Sequence, residues 1–171
     1  TVASGPNTAN PHAVPSDRVI EKGDFVLMDY GAGYCDYRSD MTRTVVMGEP
    51  TQEQLDLYAL VRRTHEECVA AIHPGVEGND IFKLSKKIIG DAGYGDYYIH
   101  GLGHGVGIDI HELPNFNRSK NIIEVGSVIT MEPGVYLPGV GGVRLEDYGV
   151  VTENGYEPFT KTPHDLHVID C

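Results

Sequence analysis

The chain of 171 residues has no tryptophan, only three cysteines, and 13 basic residues against 25 acidic ones. No apolar run approaches the ~20 residues that a bilayer span requires, so no transmembrane segment is expected. Cys35, Cys68 and Cys171 are odd in number and widely spaced, which leaves neither a disulfide framework nor a CxxC motif. A reducing, cytoplasmic setting fits that pattern. The net charge of −12 repels phosphate backbones and anionic lipid, which argues against nucleic-acid and membrane partners. A signal peptide is not visible in Thr1-Val2-Ala3-Ser4, which has no charged start and no apolar stretch. Thr1 is not a natural start and Val2 reads as already inside a strand, so a piece of a longer protein is expected. The length is that of one domain.

What is present reads as strands, then two helices, then strands. Phe25-Val26-Leu27-Met28 and Arg43-Thr44-Val45-Val46-Met47 are β-rich runs, and Glu49-Pro50 ends the second. Thr51 with Gln54 makes a capping box, after which Leu55, Tyr58, Val61, Cys68 and Ile72 recur at helical spacing up to His73-Pro74-Gly75. A second helix is expected from Asn79 or Asp80, with Ile81, Leu84 and Ile88 on one face and a stop at Gly93. From Tyr97 onward strands and Gly-rich turns return, giving one α+β domain over residues 1–171.

The chain also echoes itself. Glu21-Lys22-Gly23-Asp24-Phe25-Val26-Leu27-Met28-Asp29-Tyr30-Gly31 aligns with a stretch 103 residues later, Glu124-Val125-Gly126-Ser127-Val128-Ile129-Thr130-Met131-Glu132-Pro133-Gly134. In both copies an acid follows Met, and a second acid follows in an Arg-x-acid frame, Arg38-Ser39-Asp40 and Arg144-Leu145-Glu146. Two related halves follow, each a hairpin carrying two carboxylates. Turns at Tyr34-Cys35 and Gly139 would set Asp29 opposite Asp40 and Glu132 opposite Glu146, with Cβ atoms ~5 Å apart. Four carboxylates that close need cations between them, and two divalent ions would balance their charge.

Among the histidines, His104 lies in His100-Gly101-Leu102-Gly103-His104-Gly105-Val106-Gly107, where alternating glycines leave the backbone bare for close approach by a metal or substrate. The run lacks the spacing of a phosphate-binding loop. His111, seven residues on, needs an intervening turn to reach the same site. His12 sits in a loop between prolines, Pro11-His12-Ala13-Val14-Pro15. His65 falls mid-helix among charges, while His73, His164 and His167 fall in turns or near the terminus. No role is assigned to these four.

Together these residues resemble the pita-bread metallopeptidases, the family of methionyl aminopeptidase, aminopeptidase P and prolidase. The resemblance implies two divalent metal ions, Mn²⁺ foremost with Co²⁺, Fe²⁺ or Zn²⁺ as alternatives, held by Asp29, Asp40, His104, Glu132 and Glu146. It also implies a curved antiparallel sheet of two pseudo-twofold halves with helices outside, part of the first half lying upstream of Thr1. Ser4-Gly5-Pro6-Asn7 leading to Pro11-His12, with Tyr37 before Ser39-Asp40, is similar to the Xaa-Pro-cleaving branch. Methionyl aminopeptidases usually carry an Asn followed closely by His-Gly at the His12 position, and this chain does not. The implied activity is hydrolysis of an N-terminal Xaa-Pro bond by a metal-bridging hydroxide, as an Xaa-Pro aminopeptidase or Xaa-Pro dipeptidase. By the same resemblance Asp29 chelates one metal, His104 and Glu132 the other, and Asp40 with Glu146 bridge them. Among the implied catalytic residues, Glu132 carries the proton, His111 stabilises the oxyanion or holds the scissile group, His12 lines the pocket for the residue after the cut, and Arg144 anchors a carboxylate or backbone there, with His100 flanking the same pocket. Proline-containing peptides are the implied substrates and a homodimer the implied assembly of the full-length protein. A methionyl aminopeptidase, or a non-catalytic pita-bread scaffold, is the alternative.

Overall fold

The computed structural model describes residues 1–117 and 120–170. In chain order the elements are β1 (Val2–Ser4), β2 (Phe25–Tyr30), β3 (Gly33–Tyr34), β4 (Tyr37–Arg38), β5 (Met41–Met47), α1 (Gln52–Ala70), α2 (Gly78–Asp91), β6 (Gly103–Gly105), β7 (Glu112–Phe116), β8 (Val128–Met131), β9 (Gly134–Leu137), β10 (Gly141–Arg144), β11 (Asp147–Thr152), β12 (Gly155–Pro158) and β13 (Val168–Ile169). The expected β-α-α-β order holds. Among the described residues no helix is long and apolar enough to cross a membrane.

Each apolar repeat becomes a strand inside its own sheet. The first forms β2, between β1 and β5 in a four-stranded sheet ordered β1-β2-β5-β13, and the second forms β8, between β6 and β11 in a five-stranded sheet ordered β12-β11-β8-β6-β7. Interior position explains why Phe25, Val26 and Leu27 run on without polar alternation: all three are buried. β13 joins the first sheet parallel to β5, with Val168 against Val46.

The registers correct one expectation and bear out its twin. In the first half Asp29 pairs with Thr42, not Asp40. The hairpin turns at Cys35-Asp36, both with left-handed φ (48° and 69°), so Tyr34 pairs with Tyr37 and Asp40 falls two positions short of facing Asp29. In the second half Met131 pairs with Asp147 and Gly134 with Arg144, a shared register that sets Glu132 opposite Glu146, as the spacing predicts. Gly139, at the tip, takes φ 80°.

Thr51 caps α1 with the full reciprocal box: its side chain accepts from Gln54 N–H, and the Gln54 side chain accepts from Thr51 N–H. Tyr58, Val61 and Cys68 face the core, whereas Leu55 is 40% exposed and lies off the stripe. His65, mid-helix among charges as expected and given no role from the sequence, is 2% exposed. Ile81 and Ile88 of α2 are buried as expected. Phe25, Val46, Tyr58, Val61, Val135 and Val143 form one apolar cluster, and Cys68, Ile81, Leu102, Phe116, Ile129 and Met131 a second. The two sheets meet at a bridge between Thr42 and Glu146.

Candidate active site

A cavity of about 570 Å³ opens where the sheets meet, and its wall includes all nine residues singled out from the sequence: His12, Asp29, Asp40, His100, His104, His111, Glu132, Arg144 and Glu146. Asp29 lies near the end of β2, Asp40 just before β5, His104 in β6, Glu132 between β8 and β9, and Glu146 between β10 and β11.

Glycines make this convergence possible. A Cβ at Gly103 would stand 2.2 Å from the Thr130 carbonyl oxygen, and one at Gly105 would stand 2.3 Å from that of Leu113. β6 can therefore pack tightly between β8 and β7 only without side chains at these positions. Between Gly107 and His111 the chain turns back, and the His111 ring comes to rest edge-on to His104 with centroids 4.3 Å apart. That supplies the turn that their spacing demanded.

Ligand atoms of Asp40, His104 and Glu146 all lie within 4.8 Å of one another. His104 Nε2 is also 3.3 Å from Glu132 Oε1. The other ring nitrogen, Nδ1, is 3.0 Å from the Gly105 carbonyl, which can only accept, so Nδ1 carries a proton and Nε2 is the ring nitrogen turned toward the carboxylates. Thr130 fixes both neighbours: its hydroxyl accepts from His104 N–H at 3.0 Å and donates to Glu132 Oε1 at 3.3 Å. Asp29 is held from the other side, its Oδ2 accepting from Arg144 Nη2 at 2.5 Å.

The electrostatics are those of crowded, buried carboxylates. Burial, then the like charges of Asp29 and Glu132, push the Asp40 carboxyl up to about 6. Burial, then Glu132 and Asp40, drive Glu146 well above the usual carboxylate range. Burial also works against ionised Glu132, but contact with His104 and the charges of His100, His104 and Arg144 outweigh it and hold that carboxyl low. Reciprocally, His104 is raised: burial opposes its charge, and Glu132 overcomes that opposition. Glu146 Oε2 accepts from Thr42 Oγ1 at 2.6 Å, while Oε1 is buried with no hydrogen-bond partner. An orphaned buried carboxylate oxygen, next to two more carboxylates and a free imidazole nitrogen, fits a hard or borderline divalent cation.

Arg144 and His100 belong to a supporting network around Tyr136, which the sequence did not single out. Arg144 Nε donates to Thr42 Oγ1 at 3.0 Å and Nη1 to the Tyr136 hydroxyl at 3.1 Å. His100 Nδ1 faces the Gly101 carbonyl at 2.6 Å, so its Nε2 accepts from Tyr136 at 2.8 Å. That tautomer is neutral, in line with the lowering of its pKa by burial. His12 and His111 are exposed at the rim, free to meet a ligand. Thr42, Thr130 and Tyr136 carry no local motif; apart from Glu132, two residues from Thr130, the partners named here lie 8 to 104 residues away.

Comparison with known proteins agrees with this geometry. Residues 1–153 match metallopeptidase family M24. The chain belongs to that family. An Xaa-Pro dipeptidase of Pyrococcus furiosus is 46% identical over 166 residues, covering 96% of this chain and 48% of that protein. Among solved M24 structures, prolidase from Thermococcus sibiricus superposes with TM-score 0.95 at 44% identity, over 98% of this chain and 46% of its own. X-Pro aminopeptidase from Thermotoga maritima superposes with TM-score 0.95 at 37% identity, over 98% of this chain and 48% of its own. The chain thus carries the pita-bread fold of M24 enzymes and sits in the prolidase branch. It spans about half the length of the relatives it matches.

Proposed function

We propose that residues 1–171 form the catalytic domain of an exopeptidase that hydrolyses the N-terminal Xaa-Pro bond of peptides with two divalent metal ions. The convergence of Asp40, His104 and Glu146 within 4.8 Å, in one cavity with Asp29 and Glu132, carries this reading. In it Asp29, Asp40, His104, Glu132 and Glu146 would hold the ions, Asp29 serving one, His104 and Glu132 the other, with Asp40 and Glu146 shared. When bound, the ions supply a water of lowered pKa and polarise the scissile carbonyl. Four carboxylates and one imidazole suit Mn²⁺, with Co²⁺, Fe²⁺ and Zn²⁺ as alternatives.

The chain's own groups do the rest. Glu132, kept ionised beside His104, is placed to take a proton and pass it to the departing nitrogen. His111 reaches over the cavity from the rim to donate to the developing oxyanion. His12 and His100 bound the pocket for the residue after the cut, and Arg144, fixed by Thr42, Tyr136 and Asp29, gives that wall its positive charge. Proline lacks the N–H that proteases commonly grip, so a site that holds the substrate through its amine and ring suits it. The names of the similar proteins, Xaa-Pro dipeptidase and X-Pro aminopeptidase, support this substrate class and leave dipeptides and longer peptides as its two forms.

A panel of Xaa-Pro dipeptides, longer Xaa-Pro peptides and Met-Ala peptides, offered to the Mn²⁺-loaded protein, tests the reading. Cleavage of the first or second set is expected. Cleavage of Met-Ala peptides alone would make it a methionyl aminopeptidase, and a well-folded protein that neither binds Mn²⁺ nor cleaves any of the three sets would be a scaffold.

A further inference from the structure

Side chains alternate along a strand, so Asp147 points away from the cavity into which its neighbour Glu146 faces. There it meets two of the histidines to which the sequence gave no role. His164 Nε2 lies 2.6 Å from Asp147 Oδ2. His65 Nε2, from α1, lies 3.4 Å from the same oxygen. The ligand atoms of all three residues fall within 4.8 Å of one another, and the imidazoles stand edge to face with centroids 5.0 Å apart.

The carboxylate is divided in its duties. Oδ1 accepts from Arg43 Nη2 at 2.7 Å and from Thr160 Oγ1 at 2.6 Å, which leaves Oδ2 to the imidazoles. His65 is 2% exposed, yet neither of its ring nitrogens has a hydrogen-bond partner, since the approach to Oδ2 lacks the geometry of a bond. An unpartnered buried imidazole is costly unless something else satisfies it.

We propose that His65, Asp147 and His164 form a second, separate metal site, for one borderline dication of the zinc class with water as its fourth ligand. Two imidazoles and one carboxylate oxygen are a zinc donor set, poor for Mg²⁺ or Ca²⁺, which prefer all-oxygen shells. Arg43 and Thr160 orient the carboxylate from its far oxygen, the usual place for outer-shell support. Ligands on a tetrahedral zinc lie ~3.3 Å apart for bonds of ~2.0 Å. Asp147 and His65 already have that spacing at 3.4 Å, and His164, on a half-buried segment through which an ion can enter, has to draw back from its 2.6 Å approach to Asp147. Occupancy would cross-link α1, β11 and the segment after β12, and it would stabilise the fold by mass action.

The test is a count of Zn²⁺ per chain, made on chelator-stripped protein by titration and elemental analysis, with thermal unfolding as a second readout. His164→Gln keeps a side chain that can donate to Asp147 but is not a zinc ligand. The unmodified protein is expected to bind one more Zn²⁺ than His164→Gln, to gain thermal stability from it, and to hold it about 100-fold or more tightly than Mn²⁺ at that site. Equal Zn²⁺ counts with similar melting would overturn the proposal and leave a plain Asp147–His164 hydrogen bond. Asp40→Ala serves as the independent control. It is expected to lower the count at the cavity while the ion lost in His164→Gln is retained, so failure of the cavity reading and failure of this one give different patterns.

Discussion

Thr42 donates its hydroxyl proton to Glu146 Oε2 at 2.6 Å, and the Glu146 N–H returns a bond to the Thr42 carbonyl at 3.1 Å. The same hydroxyl accepts from Arg144 Nε at 3.0 Å. One threonine of the first half thereby fixes a carboxylate and a guanidinium of the second, with no water between them, because Thr42 is fully buried. Thr42→Val removes the donor and leaves the second Glu146 oxygen orphaned too. It is expected to cost about 1–3 kcal/mol in urea unfolding and to weaken Mn²⁺ binding roughly 10- to 100-fold, while Thr42→Ser retains most of both. Undiminished Mn²⁺ affinity in Thr42→Val would show that the hydroxyl does not orient Glu146.

Asp40, beside the still more strongly raised Glu146, contributes to the pH dependence of the metal-stripped protein. Its folded pKa of about 6 lies above the unfolded value near 3.8, so its contribution to stability is present below pH ~4 and is lost as pH rises through 6. Solvent at the cavity mouth screens the effect to on the order of 1 kcal/mol. Asp40→Asn should therefore stabilise the stripped protein at neutral pH and flatten this limb, while abolishing the rise in melting temperature on adding Mn²⁺. Chemical unfolding between pH 4 and 7, with and without Mn²⁺, measures both signs, and an Asp40→Asn protein that Mn²⁺ still stabilises fully would rule out Asp40 as a ligand.

Gly103→Ala tests the tight packing of β6. The added methyl would sit 2.2 Å from the Thr130 carbonyl and 3.0 Å from its hydroxyl, so the backbone must part. A loss of at least ~2 kcal/mol is expected, together with a larger fall in Mn²⁺ affinity than in stability, because Thr130 positions both His104 and Glu132. Calorimetric binding set beside unfolding data separates the two effects.

The thiols should differ sharply. Cys35 is exposed in the left-handed hairpin turn, whereas burial pushes the Cys68 thiol up to about 12. In a Cys171→Ser variant, since Cys171 lies outside the described residues, one thiol should react with a maleimide under native conditions and two after denaturation. Rapid native labelling of both would place Cys68 nearer the surface than the fold puts it.

The site was legible where its chemistry is written in short frames. The five expected ligands stand in Met-acid, Arg-x-acid and Gly-His-Gly contexts, and the repeat between halves made them visible as a set. The helices were legible for a similar reason, since Thr51 and Gln54 cap α1 three residues apart. The register of Asp29 was misjudged because the turn falls at Cys35-Asp36, where two non-glycine residues adopt positive φ, and nothing in the residue types marks that. Tyr136, Thr42 and Thr130 went unnoticed because strand pairing alone sets their partners. The burial of His65 was not legible because the charged residues beside it in sequence, Arg62, Arg63, Glu66 and Glu67, belong to the outer face of α1 while His65 itself turns inward.

The partnership of β13 with β5 has a consequence for how the chain is made. Val46 donates to the His167 carbonyl and Gly48 to that of Ile169, and Arg43 reaches the carbonyls of Thr162 and Pro163. The first sheet is therefore finished by residues synthesised more than 100 positions after its central strands. On the ribosome, β2 and β5 emerge early with an open edge and wait for that closing strand, the period in which a chain is most exposed to wrong pairing. A stop codon near position 160 would spare every expected ligand of the cavity and still yield a nascent chain unable to close its first sheet.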